Sequence, residues 1–188
     1  MAPALGILGR VLVPDAIGAI VGWRTWRLRD TPAGLRLVST IDEAAWPARR
    51  PLAASCRLAG HAAPEPGCSC GVHAASQLSL PLEYLPPHVR ASSAFRTPAI
   101  LGYDRVILIG HVSLWGRVVE CEWGWRGELA YPAELCVPER VTHYRRHGDL
   151  LGILDSAGIA ESLANAYGVP VAVIASARPD DLRSRAAA

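Results

Sequence analysis

The sequence predicts an α+β fold: a curved, mostly antiparallel sheet or small open β-barrel, with a metal-clipped loop and a C-terminal helix. Three observations support it. A long β-rich run starts at Arg105 (RVILIGHVSLWGRVVECEWGWRGELAYP), and a second spans residues 20–29 (IVGWRTWRLR). One late segment repeats apolar residues at helical spacing, with Ile159, Leu163, Ala166 and Tyr167 on one stripe.

The elements follow in order. Residues 1–19 form an apolar N-terminal lead-in, 20–176 a single α+β domain, and 177–188 a frayed Arg/Asp/Ala tail. The first strand ends at a turn around Asp30, Thr31 and Pro32, and Gly34 to Ser39 returns as its hairpin partner. Residues 40–56 are irregular, broken by Trp46-Pro47 and Arg50-Pro51. Gly71 to Leu80 is expected to form a short helix, and the proline-bearing stretch 81–104 a surface excursion.

In the long run, Val106, Leu108, Val112 and Leu114 share one face at period two. Ile107, Ile109, His111, Ser113 and Trp115 share the other. Gly110 and Gly116 mark places where the strand can bend or bulge. A three-residue turn, Glu122-Trp123-Gly124, would set Glu120 opposite Arg126 across the ladder and place Gly124 in a left-handed conformation. After Pro138 comes an Arg/His-rich stretch containing Arg140, His143, Arg145, Arg146 and His147, which reads as a solvated face. Ser156 or Asp155 caps the helix, Gly168 ends it in a left-handed C-cap, and residues 169–174 form a last strand.

Composition narrows the function classes. With 188 residues, 51% of them hydrophobic, the chain can bury one core. Its most apolar opening, Gly6 to Val21, is interrupted by Arg10, Pro14 and Asp15, so nothing reaches the roughly 18 apolar residues of a membrane span. A secretory signal fits poorly, and a cytoplasmic location is expected. All 19 basic residues are Arg, yet the net charge is only +2, unlike the basic stripe of a duplex-DNA binder.

The sharpest chemical signal is CRLAGHAAPEPGCSC, residues 56–70. Cys56, His61, Cys68 and Cys70 supply three thiolates and an imidazole, the donor set that tetrahedral zinc takes. Pro64, Pro66 and Gly67 stiffen the loop that brings them together. The C-x-C pair departs from the usual C-x₂-C knuckle, and His73 is an alternative fourth ligand. A disulfide from Cys56 to Cys68 or Cys70 is the competing reading, disfavoured in a reducing compartment. Cys121 and Cys136 read as small buried hydrophobes. The H-E-x-x-H and deaminase zinc patterns are absent, which points to a structural rather than a catalytic zinc.

Trp123 at the hairpin tip, with Trp115, His111 and Arg126 on the same long hairpin, is the candidate partner-binding surface. Phosphate-binding, dinucleotide-binding and nucleophile-elbow motifs are all absent. His111 has no acid partner recognisable from sequence, so it reads first as a hydrogen-bonded core histidine.

The segments GWRTW (22–26), CSCGVHA (68–74) and LWGRVVECEWGWRGELAYP (114–132) together resemble a group of uncharacterised actinobacterial proteins. The resemblance spans roughly Gly22 to Pro132 and implies the clip and the bent sheet. It implies no activity. In that group the position of His73 is often aromatic, which favours His61 as fourth ligand.

The expected function is a non-enzymatic binding module, stabilised by structural zinc, whose partner is a protein or single-stranded nucleic acid. The alternatives are a small metal- or His-dependent enzyme and a structural adaptor that docks into a larger assembly through residues 1–19.

Overall fold

The computed structural model describes residues 10–12, 18–83, 106–139, 141–144 and 150–175. Its elements are β1 (Arg10–Leu12), β2 (Ile20–Arg29), β3 (Arg36–Ser39), β4 (Leu52–Ala53), β5 (Val72–Ala75), α1 (Ser79–Glu83), β6 (Ile107–Cys121) and β7 (Gly124–Pro138). These are followed by β8 (Val141–Tyr144), β9 (Leu150–Leu154), α2 (Ser156–Tyr167) and β10 (Val171–Ile174). The described residues are sheet-rich with few helices, in line with the α+β expectation. No helix among the described residues is long and apolar enough to cross a membrane.

Eight strands form one sheet in the order β1-β6-β2-β5-β7-β10, with β3 on β2 and β4 on β7. Because β6 also pairs with β7, the pairings β6–β2, β2–β5, β5–β7 and β7–β6 close a ring of four strands. The pairings are antiparallel except β10 on β7, which is parallel. β8 and β9 make a separate hairpin, whose side chains, like Arg140 and residues 145–149 of the Arg/His stretch, lie outside the described residues. The same holds for residues 84–105, most of the expected excursion, and for the tail from residue 176. Part of the N-terminal lead-in joins the sheet, since Arg10–Leu12 pairs with Val118 to Glu120 of β6.

The period-two reading of β6 holds, and its two faces serve different clusters. Val106, Leu108, Val112 and Leu114 join Trp26, Leu28 and Leu135 in the main core, each 0% exposed. Ile109 packs on the opposite face with Leu78, Cys136 and Ile174, flanked by Trp23. The β6–β7 register shifts between His111 and Val112 and between Trp115 and Val118, next to the two expected glycines. Gly116 has φ +74, the left-handed conformation a bulge asks of glycine.

Three local expectations are corrected. The β6–β7 turn contains two residues, Glu122 and Trp123, so Cys121 pairs with Gly124 and Arg126 faces Val119 instead of Glu120. Gly124 does have positive φ, but the close approach of β5 also demands it: a Cβ would lie 2.1 Å from the Ala74 carbonyl oxygen. Residues 71–80 are not one helix. Val72–Ala75 is strand β5, bonded on both edges, and the short α1 begins only at Ser79.

Helix α2 forms as its caps and stripe predict. The Asp155 side chain accepts from the Ala157 N–H, and Gly168 at φ 68 donates its N–H to the Ala164 carbonyl. Ile159, Leu163 and Tyr167 are buried in the main core, with Ala166 partly buried against it. Burying Leu163 alone contributes about 1.5–3 kcal/mol. The C-terminal end of α2 is latched twice more. Arg49 donates to the Asn165 and Ala166 carbonyls, where a cation meets the negative end of the helix. The Tyr167 hydroxyl accepts from the Leu37 N–H and donates to the Trp46 carbonyl, both at 2.9 Å.

Gly110 is the tightest glycine on the β6–β7 ladder, because a Cβ there would sit 2.0 Å from the Glu134 carbonyl oxygen. Gly60 has nothing within 4 Å of such an atom. Urea denaturation is expected to show Gly110→Ala destabilised by about 2 kcal/mol or more, and Gly60→Ala changed by less than about 0.5 kcal/mol. Equal midpoints for the two variants would contradict this account of the ladder.

Candidate metal centre

The loop between β4 and β5 folds back on itself, and its backbone turns explain how. Cys68 N–H donates to the Glu65 carbonyl at 3.1 Å, and Gly67 and Gly71 take φ +83 and +119. This brings Cys56, His61, Cys68 and Cys70 together, with one ligand atom from each lying within 4.8 Å of all the others. The Cys56 and Cys68 sulfurs are 3.8 Å apart, and His61 Nδ1 is 4.0 Å from the Cys70 sulfur. A tetrahedral ion with metal–sulfur bonds of about 2.3 Å would space its sulfurs about 3.8 Å apart. None of the five cysteines is in a disulfide, and 3.8 Å is far beyond the S–S bond length of about 2.05 Å.

The electrostatics favour thiolate at Cys68. The Cys68 thiol is held down to about 7, first by the Cys70 backbone amide and then by the Cys70 thiol, both of which donate to it. Cys70 is pushed up, mainly by burial. His61 is raised, chiefly because the Ala62 carbonyl accepts from its ring. That contact uses Nδ1, at 3.2 Å, so a metal taking Nδ1 would displace its proton. The Ala59 N–H points at the Cys56 sulfur at 3.4 Å, another donor for a thiolate.

Three groups bind this loop to the sheet. Arg126, 3% exposed on β7, donates through Nη1 to the carbonyls of Cys68 and Cys70, the latter at 2.7 Å. Its Nε donates to the Cys121 sulfur at 3.2 Å. Gly71 lies against it so tightly that a Cβ would come within 2.9 Å of the Arg126 Cβ. Arg117, at the Gly116 bulge, reaches Glu65 at 3.4 Å and the Pro64 carbonyl at 3.5 Å.

The remaining residues of the sequence reading fall in three places. His73 stands outside the cluster on β5, its Nε2 2.9 Å from the Ser69 carbonyl oxygen, so the gathered set uses His61. Trp123 is 54% exposed at the hairpin tip, with its carbonyl held by Ser76, while Trp115 is half-buried along β6. Arg126 is corrected from a surface contact to a buried clamp: its two-residue turn register aims it at the cysteine loop, not at a partner.

Glu134 is the site residue that sequence reasoning missed. Its carboxylate lies 3.2 Å from His111 Nδ1, and Trp23 packs against the His111 ring with centroids 3.9 Å apart and planes tilted by 40°. The signal was the turn length, since a two-residue turn extended along the ladder sets His111 opposite Glu134. Compared with protein-family models, curated proteins and solved structures, the chain matches none.

Protons compete with a metal for these four ligands. Zinc affinity, measured by competition with a chromophoric chelator, is expected to fall by on the order of tenfold or more per unit between about pH 8 and pH 6, with proton release on binding. Thiols and imidazolium predominate at the acid end of that window, which sets the sign. A flat profile would mean that these groups do not ligate.

Proposed function

We propose that the chain is a non-enzymatic binding module built on a small barrel-like ring, with a structural zinc at Cys56, His61, Cys68 and Cys70. The observation that carries this reading is the convergence of three sulfurs and one imidazole within 4.8 Å. A Cys₃His donor set with the Cys56 and Cys68 sulfurs at tetrahedral spacing suits zinc, and four protein ligands leave no open position for catalysis. The thiols imply a reducing compartment, in keeping with a cytoplasmic location.

Trp123 is the binding residue of this proposal. An indole 54% exposed on a backbone fixed by Ser76 offers apolar area at little entropic cost. The exposed Glu120 and Glu122 flank it, so the tip carries negative charge. Two carboxylates beside a stacking residue repel a phosphate backbone and suit a protein with an apolar pocket and a basic rim. In this reading the chain is kin to the actinobacterial group it resembles, and the segments that carry the resemblance fall on the ring strands: GWRTW on β2, CSCGVHA running into β5, and the third along β6 and β7.

A second reading, a small His-dependent enzyme, is favoured by one observation. Glu134 holds His111 as a carboxylate holds a general base, with Nε2 on the far side of the ring.

Pull-downs with wild type and Trp123→Ala distinguish these readings. The expected result is a nuclease-resistant protein partner retained by the wild type and weakened by about 2 kcal/mol or more in the variant. Salt-sensitive retention of single-stranded DNA would replace the protein partner with a nucleic acid. Equal retention by both proteins would remove Trp123 from the site, and ester hydrolysis lost in Glu134→Gln would select the enzyme.

A further inference from the structure

The last metal ligand runs directly into the strand that closes the ring. Cys70 is followed by Gly71 and then by β5. β5 shares one ladder pair with β2, Trp23 with Ala75, beside a side-chain bond from Arg24 Nη1 to the His73 carbonyl, and four with β7, from Val72 with Gly127 to Ala75 with Gly124. Beyond β5, Ser76 donates to the Trp123 carbonyl twice, through its N–H at 3.0 Å and its hydroxyl at 3.3 Å. The cysteine loop and the hairpin tip are therefore the two ends of one short strand.

Little along this strand can absorb a shift. A Cβ on Gly22 would come within 2.9 Å of both the Ala74 Cβ and the Ala75 carbonyl oxygen, and one on Gly124 within 2.1 Å of the Ala74 carbonyl oxygen. A second link runs through Arg126, which grips the Cys68 and Cys70 carbonyls from two residues past Gly124. Its guanidinium is buried, and its Nη2 has no hydrogen-bond partner. A buried cation needs counter-charge. A divalent ion held by three thiolates and a neutral imidazole would carry a net single negative charge, on the same loop whose carbonyls Arg126 grips, and so would supply it.

We propose that occupancy of this centre controls how Trp123 is presented, with β5 and Arg126 as the coupling elements. The inference rests on reading the centre as a metal site. In the filled state the loop is closed, Arg126 has its counter-charge and β5 holds the hairpin tip. In the empty state the closure entropy of the loop is no longer offset, β5 loosens first along its sparsely laddered edge with β2, and the tip is released. Metal availability would then regulate the partner surface.

Hydrogen exchange on the full chain, loaded with zinc and then stripped by chelator, tests this. On stripping, exchange across residues 72–76 and 122–127 is expected to quicken by about tenfold or more, while α2 is unchanged. Re-adding zinc restores it. Arg126→Lys keeps the charge but cannot bridge both carbonyls and the Cys121 sulfur, so with zinc bound its tip should exchange at an intermediate rate. If that variant does not fold, the wild-type comparison decides alone. Unchanged tip exchange after elemental analysis has verified zinc loss overturns the coupling and leaves the metal site standing. Equal loss of protection in α2 also overturns it, because the metal would then hold the whole fold. A chain that takes up no zinc removes both readings, and the metal analysis identifies that case.

Discussion

Arg126 lies almost fully buried under a loop of cysteines, and a guanidinium in that position costs several kcal/mol unless carbonyls and negative charge surround it. It finds the Cys68 and Cys70 carbonyls and the Cys121 sulfur. Much of the molecule is arranged around that contact. Gly71 must lack a side chain for the loop to settle on it, β5 begins one residue later, and β5 joins β2 to β7. The sheet thus becomes a ring through the strand that the cysteine loop delivers.

The ring explains why so many glycines sit in the long hairpin and its neighbours. Gly22, Gly71, Gly110 and Gly124 each face a backbone or Cβ within 3 Å of where their own Cβ would be. These are close approaches of one strand to another, and only Gly71 and Gly124 among them also need positive φ. On the far side the core is held differently. There α2 brings a complete apolar stripe, and Tyr167, Tyr131 and Arg49 tie its end to β3, β7 and the irregular segment through paired hydrogen bonds. Stability is therefore built from conventional burial at one end and from loop closure at the other.

What was legible in the sequence was local. The extent of β2, the two faces of β6, both helix caps and the bend at Gly116 follow from periodicity and residue chemistry within a few positions. The four clustered ligands were legible for the same reason, lying within fifteen residues of one another. The failures were long-range. The positive φ expected at Gly124 is present, but the second constraint on it, the close approach of β5 about fifty residues earlier in the chain, was not legible. Residues 71–80 carry alanines that favour a helix, yet two strand edges capture Val72–Ala75. The one-residue error at the turn hid the pairing of Glu134 with His111 and made Arg126 look like a surface partner of Glu120.

The central claim is that three sulfurs and one imidazole nitrogen share a single ion. X-ray absorption at the zinc edge on the purified chain tests it most directly. The account predicts a first shell of three sulfurs at about 2.3 Å and one nitrogen at about 2.0 Å. A shell of oxygen and nitrogen alone, or a folded protein without bound metal, would contradict it.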